Sequence, residues 1–201
     1  MLLQWIKNNT LSKLATNISE LNDEQLMCNF AQNGQQKWLN ELLSRHGDAL
    51  YHFALSLAGI EMAADIAQTS WLKVIEKRTF FQPEHSSFKA WLFTIARNHF
   101  FDQNKKAANQ QAQHQQIQEH TAPASLPLCE QISATQKYEL FNQLLDALPH
   151  SQKEAFMLQQ EGFSLAQIAT ITGANQETVK TRLRYARAHF SPISNQLKET
   201  T

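Results

Sequence analysis

Lys180, Arg182, Arg184 and Arg187 crowd into one short segment, "NQETVKTRLRYARAHF", where a single acid, Glu177, opposes them. Such a set suits the chemistry of polyanions. Arg and Lys donate to phosphate oxygens and to guanine edges, and Thr181 can meet either a base edge or a phosphate. Gln176 lies on the same outer side. Upstream, "FKAWLFTIARNHFFDQNKK" interleaves rings with cations. That mixture suits unpaired bases, because Trp91 and Phe101 can stack on them while Arg97, Lys105 and Lys106 meet phosphates and Asn98 offers hydrogen bonds. Phe88, at the start of this segment, is a candidate both for that face and for the core.

These clusters stand in a chain whose 18 basic and 18 acidic residues cancel. With no net field to steer it, any attraction to nucleic acid must come from local placement of charge. Other chemistries find little support. The two cysteines, Cys28 and Cys129, are isolated and read as reduced thiols of a cytoplasmic protein. The eight histidines are scattered without ligand spacing, so no metal or other cofactor is expected. No phosphate loop or nucleophile constellation is evident, so no catalytic residue is assigned. No segment is long and apolar enough to cross a bilayer, and the amino-terminal burst is too short for a signal peptide, so no direct membrane insertion is expected.

The elements that must position these residues read as helices throughout. Spacings of three and four recur, and alternating strand patterns are missing. Asn22 with Gln25 forms a capping box, followed by the apolar stripe Leu26, Met27 and Phe30 and a stop at Gly34. A second helix is expected from about Gln36 to Leu57. A third, "EMAADIAQTSWLKVIEK", turns Ala63, Ala67, Trp71 and Val74 inward and Asp65, Gln68 and Leu72 to another face. The fourth carries Phe88, Leu92, Ile95 and Ala96 on its core side.

The composition then changes to a Gln-, Ala-, His- and Pro-rich stretch without apolar period, read as a linker that is helical in part at its start. It divides the chain into an extension over 1–21, a helical domain over 22–106, the linker over 107–133 and a second helical domain over 134–195. In the latter, Ser151 is a candidate cap for a helix ending at Gly162. Ser164 with Gln167 is a second capping box. Gly173 can take the positive φ of a tight turn, and Asn175 can cap the basic helix. Two helices around such a turn form a helix-turn-helix, whose second helix fits the major groove. Val179, Leu183, Ala186 and Phe190 form its inner side.

Pattern alone leaves a repressor, a response regulator and an initiation factor open. The segment from Leu50 to Lys106, "LYHFALSLAGIEMAADIAQTSWLKVIEKRTFFQPEHSSFKAWLFTIARNHFFDQNKK", resembles region two of the extracytoplasmic-function sigma factors of the sigma-70 superfamily. "LLDALPHSQKEAFMLQQEGFSLAQIATITGANQETVKTRLRYARAHF" is similar to their region four. The two occur in the family's order, with the family's kind of linker between them.

The resemblance implies a non-catalytic specificity subunit of RNA polymerase. It implies that Asp65, Gln68, Leu72 and Lys73 dock on the clamp coiled coil of the largest polymerase subunit. It assigns the loop from Phe80 to Phe88 and the following helix to the minus-ten element of promoter DNA, with Asn98 and Trp91 nearest the family's motif. Lys180, Thr181 and Arg184 then read the minus-thirty-five element, and an anti-sigma factor is a further expected partner. The chain departs from the family's pattern at Ala64, where an acidic residue usually precedes Asp65, at Glu177, where glycine is usual, and at Tyr185, where arginine is common. These departures bear on docking and on minus-thirty-five readout. A stand-alone helix-turn-helix regulator that does not dock polymerase is the alternative.

Overall fold

The computed structural model describes residues 18–111 and 134–198. Every regular element among them is helical. Eight α-helices follow in chain order: α1 (Asp23–Asn33), α2 (Gln36–Ala58), α3 (Ile60–Glu76), α4 (Phe88–Gln111), α5 (Ala134–Ala147), α6 (His150–Gln160), α7 (Leu165–Thr172) and α8 (Gln176–Lys198). Short 3-10 turns precede α1 and separate α3 from α4. Among the described residues no helix is long and apolar enough to cross a membrane.

Local chemistry sets most of the boundaries. Asn22 Oδ1 accepts from the Gln25 amide at 2.8 Å while Gln25 Oε1 accepts from the Asn22 amide at 3.1 Å. Two of the donors orphaned at the start of α1 are thereby satisfied. Gly34, at φ 65°, ends the helix in the left-handed conformation that glycine adopts without steric cost. The start of α4 is capped from a distance: the Phe88 amide donates to Glu24 of α1 at 3.0 Å. Ser151, by contrast, does not cap α6. The helix begins one residue earlier, with Pro149 at the N-cap position, and the Pro149 carbonyl already accepts from the Gln152 and Lys153 amides. The carbonyl thus closes the first turn, and no side-chain cap bond is made.

The first half packs α1 to α4 around Leu42, Leu50, Phe53, Ile66, Leu92 and Phe93, all wholly buried. Each such side chain contributes about 1.5–3 kcal/mol of burial. The predicted inner face of α3 holds for Ala63, Trp71 and Val74, and Ile66 and Ser70 join it. α4 continues to Gln111, into the stretch read as linker. The rest of that stretch, with Cys129, lies outside the described residues, as does the extension up to Asn17.

In the second half, Leu145, Leu148, Phe156 and Ala186 form a small cluster, with Phe190 against it. Ala155, Leu158, Phe163 and Ile168 instead join the core of the first half. The join runs along α4, where Phe93 lies 5.0 Å from Phe53 on one side and 5.0 Å from Phe163 on the other. α4 has apolar residues around most of its circumference, and a helix of that kind must be covered on several sides. α2 and α3 cover part of it, and α7 with the turn before it covers another part. The two halves therefore share one continuous core.

Candidate nucleic-acid interface

The helix-turn-helix forms as its capping residues require. Ser164 and Gln167 close the box at α7, Gly173 turns the chain at φ 65°, and Asn175 Oδ1 accepts from the Thr178 amide at 2.7 Å at the start of α8. Val179, Leu183 and Ala186 are buried, which fixes the rotation of α8. That rotation exposes Gln176, Lys180, Thr181, Arg184 and Arg187, and leaves Arg182 half-buried. Beside them an open hollow of about 470 Å³ is lined by Ser151, Asn175, Thr181, Arg182 and Tyr185, with the Glu177 carboxylate also on its wall. It lies where α6 and α8 begin, and helix amino termini favour phosphate through their free N–H groups and dipoles.

Three of the cations have partners. Lys180 Nζ donates to Glu177 Oε1 at 2.6 Å, Arg187 donates to Gln159 Oε1 at 2.9 Å, and Arg184 lies over the Tyr185 ring at 5.2 Å. Glu177 and Tyr185 thus both touch the basic face.

Along α4 the sequence candidates separate. Asn98 and Lys105 are exposed and Trp91 is half-buried. Phe88 is wholly buried between Trp71, Phe81 and His46 and cannot reach DNA. Its place at the first turn of α4, clamped by Glu24 and the α2 and α3 side chains, makes it a core residue. Arg97 donates to Glu154 of α6 at 2.6 Å, and its guanidinium stacks 4.5 Å from the Phe101 ring. Phe101 also meets His150 edge-on at 5.4 Å. These two candidates therefore face the second half of the protein. The Lys106 side chain lies outside the described residues. Phe80, three-quarters exposed in the loop before α4, and Phe81, packed 5.3 Å from Trp91, form a pair that residue spacing did not single out.

On α3, Asp65, Gln68 and Leu72 share an exposed face, with Leu72 52% exposed. Lys73 is half-buried, its Nζ 3.2 Å from His99 Nδ1. Lysine can only donate, so the neutral ring accepts at Nδ1. Burial first, and the Lys73 charge second, push the His99 ring below the ordinary histidine range and favour that neutral form. Gln103 donates to Asp65 at 3.1 Å. His99 and Gln103 belong to α4, so no reading of α3 by itself could have found them.

A Sigma-70 region 2 model matches residues 42–110, and a Sigma-70 region 4 model matches residues 138–190. The ECF RNA polymerase sigma factor EcfG of Rhodopseudomonas palustris is 33% identical over 149 residues, covering 72% of this chain and 78% of that protein. The chain belongs to the extracytoplasmic-function RNA polymerase sigma factors. The family's SigL of Mycobacterium tuberculosis is 30% identical over 152 residues, covering 74% of the chain and 84% of its own length.

Solved structures share the fold. The sigma factor RpoE of Bartonella quintana, crystallised with the anti-sigma factor NepR, superposes with a TM-score of 0.60 at 30% identity, over 82% of this chain and 98% of its own. CnrH, solved with the cytosolic domain of CnrY, gives 0.61 at 22% identity over 87% and 98%, a likeness of fold. In this sigma factor the region 2 match takes in α3 and nearly all of α4, while the region 4 match takes in α6, α7 and the basic part of α8. Sigma factors as a family are specificity subunits that bind RNA polymerase and direct transcription initiation.

Proposed function

We propose that this sigma factor, acting in the cytoplasm, docks core polymerase through Asp65, Gln68, Leu72 and Lys73 on α3 and reads promoter DNA with two separate surfaces. Lys180, Thr181 and Arg184, flanked by Gln176, Arg182 and Arg187, read the minus-thirty-five duplex. Asn98, Trp91, Arg97, Phe101, Lys105 and Lys106 on α4 engage the unpaired minus-ten strand. Residues 22–106 act as the region-two domain, 107–133 as the linker and 134–195 as the region-four domain. The observation that carries this reading is the pairing in one chain of an exposed basic recognition helix with an exposed, mixed polar and apolar strip on α3. Duplex suits an inserted helix, whereas unpaired bases need stacking surfaces, and pulling a base from the stack costs about a few kcal/mol that pocket contacts must return. Two modest surfaces on one linker then add through effective concentration. The anti-sigma factor crystallised with the related RpoE supports a protein partner of that kind here.

Run-off transcription with core polymerase on a pool of promoter fragments tests the reading. Asp65→Arg should abolish promoter-specific transcripts, and Lys180→Ala should weaken or retarget them. Wild-type protein that binds duplex but directs no transcript from an active core enzyme would establish the stand-alone regulator instead.

A further inference from the structure

The region 2 match begins at residue 42, inside α2, so α1 lies outside it. α1 nevertheless touches the segment between α3 and α4 at both of its ends. At the α4 end, Ser87 Oγ accepts from the Ala90 amide at 3.3 Å and the Ser87 carbonyl accepts from the Trp91 amide at 3.0 Å, which puts Ser87 at the N-cap. The Phe88 amide is then one of the donors that no carbonyl of the helix can satisfy. Glu24 Oε1 accepts it at 3.0 Å, from 64 positions away in the chain. At the α3 end, the Arg78 guanidinium lies 5.8 Å from the Phe30 ring of α1.

α1 is itself anchored beside Glu24. The Asp23 carboxylate meets Arg45 at 3.0 Å and His46 at 2.7 Å, both on α2. Arg45 also donates to the Leu21 carbonyl at 2.8 Å and to the Ser19 carbonyl at 3.1 Å. The buried His46 ring lies 5.6 Å from the Phe88 ring, so both the amide and the side chain of Phe88 are held from the first turn of α1 and its anchor. A carboxylate fixed at its base loses less freedom on accepting a hydrogen bond than a free one, and this one faces the positive end of the α4 dipole.

Between the two anchored ends the loop carries Phe80, 75% exposed, and Phe81, buried 5.3 Å from Trp91. We propose that Glu24 is a positioning residue for promoter opening: from α1 it caps α4 and fixes the loop that presents Phe80, Phe81 and Trp91 to an unpaired base. This role rests on the minus-ten reading proposed above, and Glu24 acts through the loop rather than on DNA. Without its carboxylate, the Phe88 amide either stays unpaired beside the core or draws the first turn of α4 toward water, and the second course moves the loop. A binding surface displaced by about 1 Å loses much of its effect.

The test uses the full-length protein with core polymerase and a pool of promoter fragments. Permanganate reactivity of minus-ten thymines reads opening, titration of labelled core enzyme reads holoenzyme assembly, and hydrogen exchange reads the Phe88 amide. Glu24→Ala should speed that exchange and reduce opening, each about tenfold, while assembly stays unchanged. Glu24→Gln keeps an acceptor at the same reach and should hold opening within about twofold of wild type. If Glu24→Ala does not fold, Glu24→Asp, which keeps the charge and gives up the reach, carries the same expectation. Fast exchange with undiminished opening overturns the positioning role. So does a loss of opening no larger than the loss of assembly, or an equal loss in Glu24→Gln. If wild type opens no promoter, or Asn98→Ala opens them as wild type does, the minus-ten reading falls and takes this role with it. If Asn98→Ala is impaired and Glu24→Ala is not, the positioning role alone falls.

Discussion

Lys73 Nζ on α3 lies 3.2 Å from His99 Nδ1 on α4, and this contact holds one group of the proposed docking strip against the neighbouring helix. An ammonium with four rotatable bonds loses considerable entropy when held by a partner, and His99 imposes that order before polymerase arrives. Replacing the ring frees Lys73 and removes the neighbour of Gln103, the donor to Asp65. His99→Ala should weaken binding to core polymerase about three- to tenfold, while duplex binding by α8 stays unchanged. Titration of labelled core enzyme and a separate gel-shift assay check the two halves of that statement.

Two depressed imidazoles predict how stability depends on pH. His99 is pushed below the ordinary histidine value by burial and then by Lys73, and His150 by burial and then by Lys153 and Arg97. A histidine depressed in the folded state contributes stability that is full above its unfolded value of about 6.5 and is lost as pH falls through the window toward the folded value. Burial raises Glu154 against the pull of Arg97, so this carboxyl works in the opposite sense: the folded state holds its proton more tightly, and acidification from its raised value toward about 4.5 favours folding. The melting temperature should therefore fall as pH drops just below 6.5. His99→Gln together with His150→Gln should flatten that fall, as thermal scans across the range would read.

Glu177 engages Lys180 at 2.6 Å at the start of the recognition helix, and both side chains are more than half exposed. An exposed bridge of this kind contributes only about 0–1 kcal/mol to stability, so its main effect is on DNA. Glu177→Gln should leave the melting temperature within about a degree and tighten duplex binding several-fold, by removing a carboxylate that faces phosphate. Lys180→Ala should loosen binding and lower the slope of log affinity against log salt by about one. Binding isotherms at three salt concentrations distinguish the two effects.

Phe88 and Asn98 should respond oppositely to truncation. Phe88 is wholly buried, so Phe88→Ala should cost about 3–5 kcal/mol of stability through the cavity it leaves. Any loss of transcription by that variant should track unfolding. Asn98 is exposed, and Asn98→Ala should change stability by less than about 0.5 kcal/mol while reducing promoter opening. Chemical denaturation beside permanganate footprinting of unpaired thymines separates the two cases.

Much of the architecture was legible because it is locally encoded. The boxes at Asn22 and Ser164, the turn at Gly173 and the cap at Asn175 each depend on residues within a few positions of one another. The rotation of α8 followed from Val179, Leu183 and Ala186, and with it the exposure of Lys180, Thr181, Arg184 and Arg187. The strip of Asp65, Gln68 and Leu72 followed in the same way from the inner face of α3. Ser151 falls outside that rule because it lies inside the first turn of α6, which closes on the Pro149 carbonyl.

Arg97, Phe101 and His99 had no such signature, and spacing left Phe88 open between the core and the nucleic-acid face. Helical spacing tells which residues share a face, but not which neighbour covers that face. Phe88 is enclosed by residues from four other segments, and Arg97 finds its carboxylate 57 positions along the chain. Local sequence thus determined the helices, their caps and the two outward surfaces, since hydrogen bonds within a turn and apolar period are short-range quantities. Spacing also placed Leu92, Ile95 and Ala96 in the core, but tertiary structure alone decided which other side chains of α4 are partnered and which face outward. An apolar helix with several faces can satisfy burial in more than one way, and only the packing of both halves selects among them.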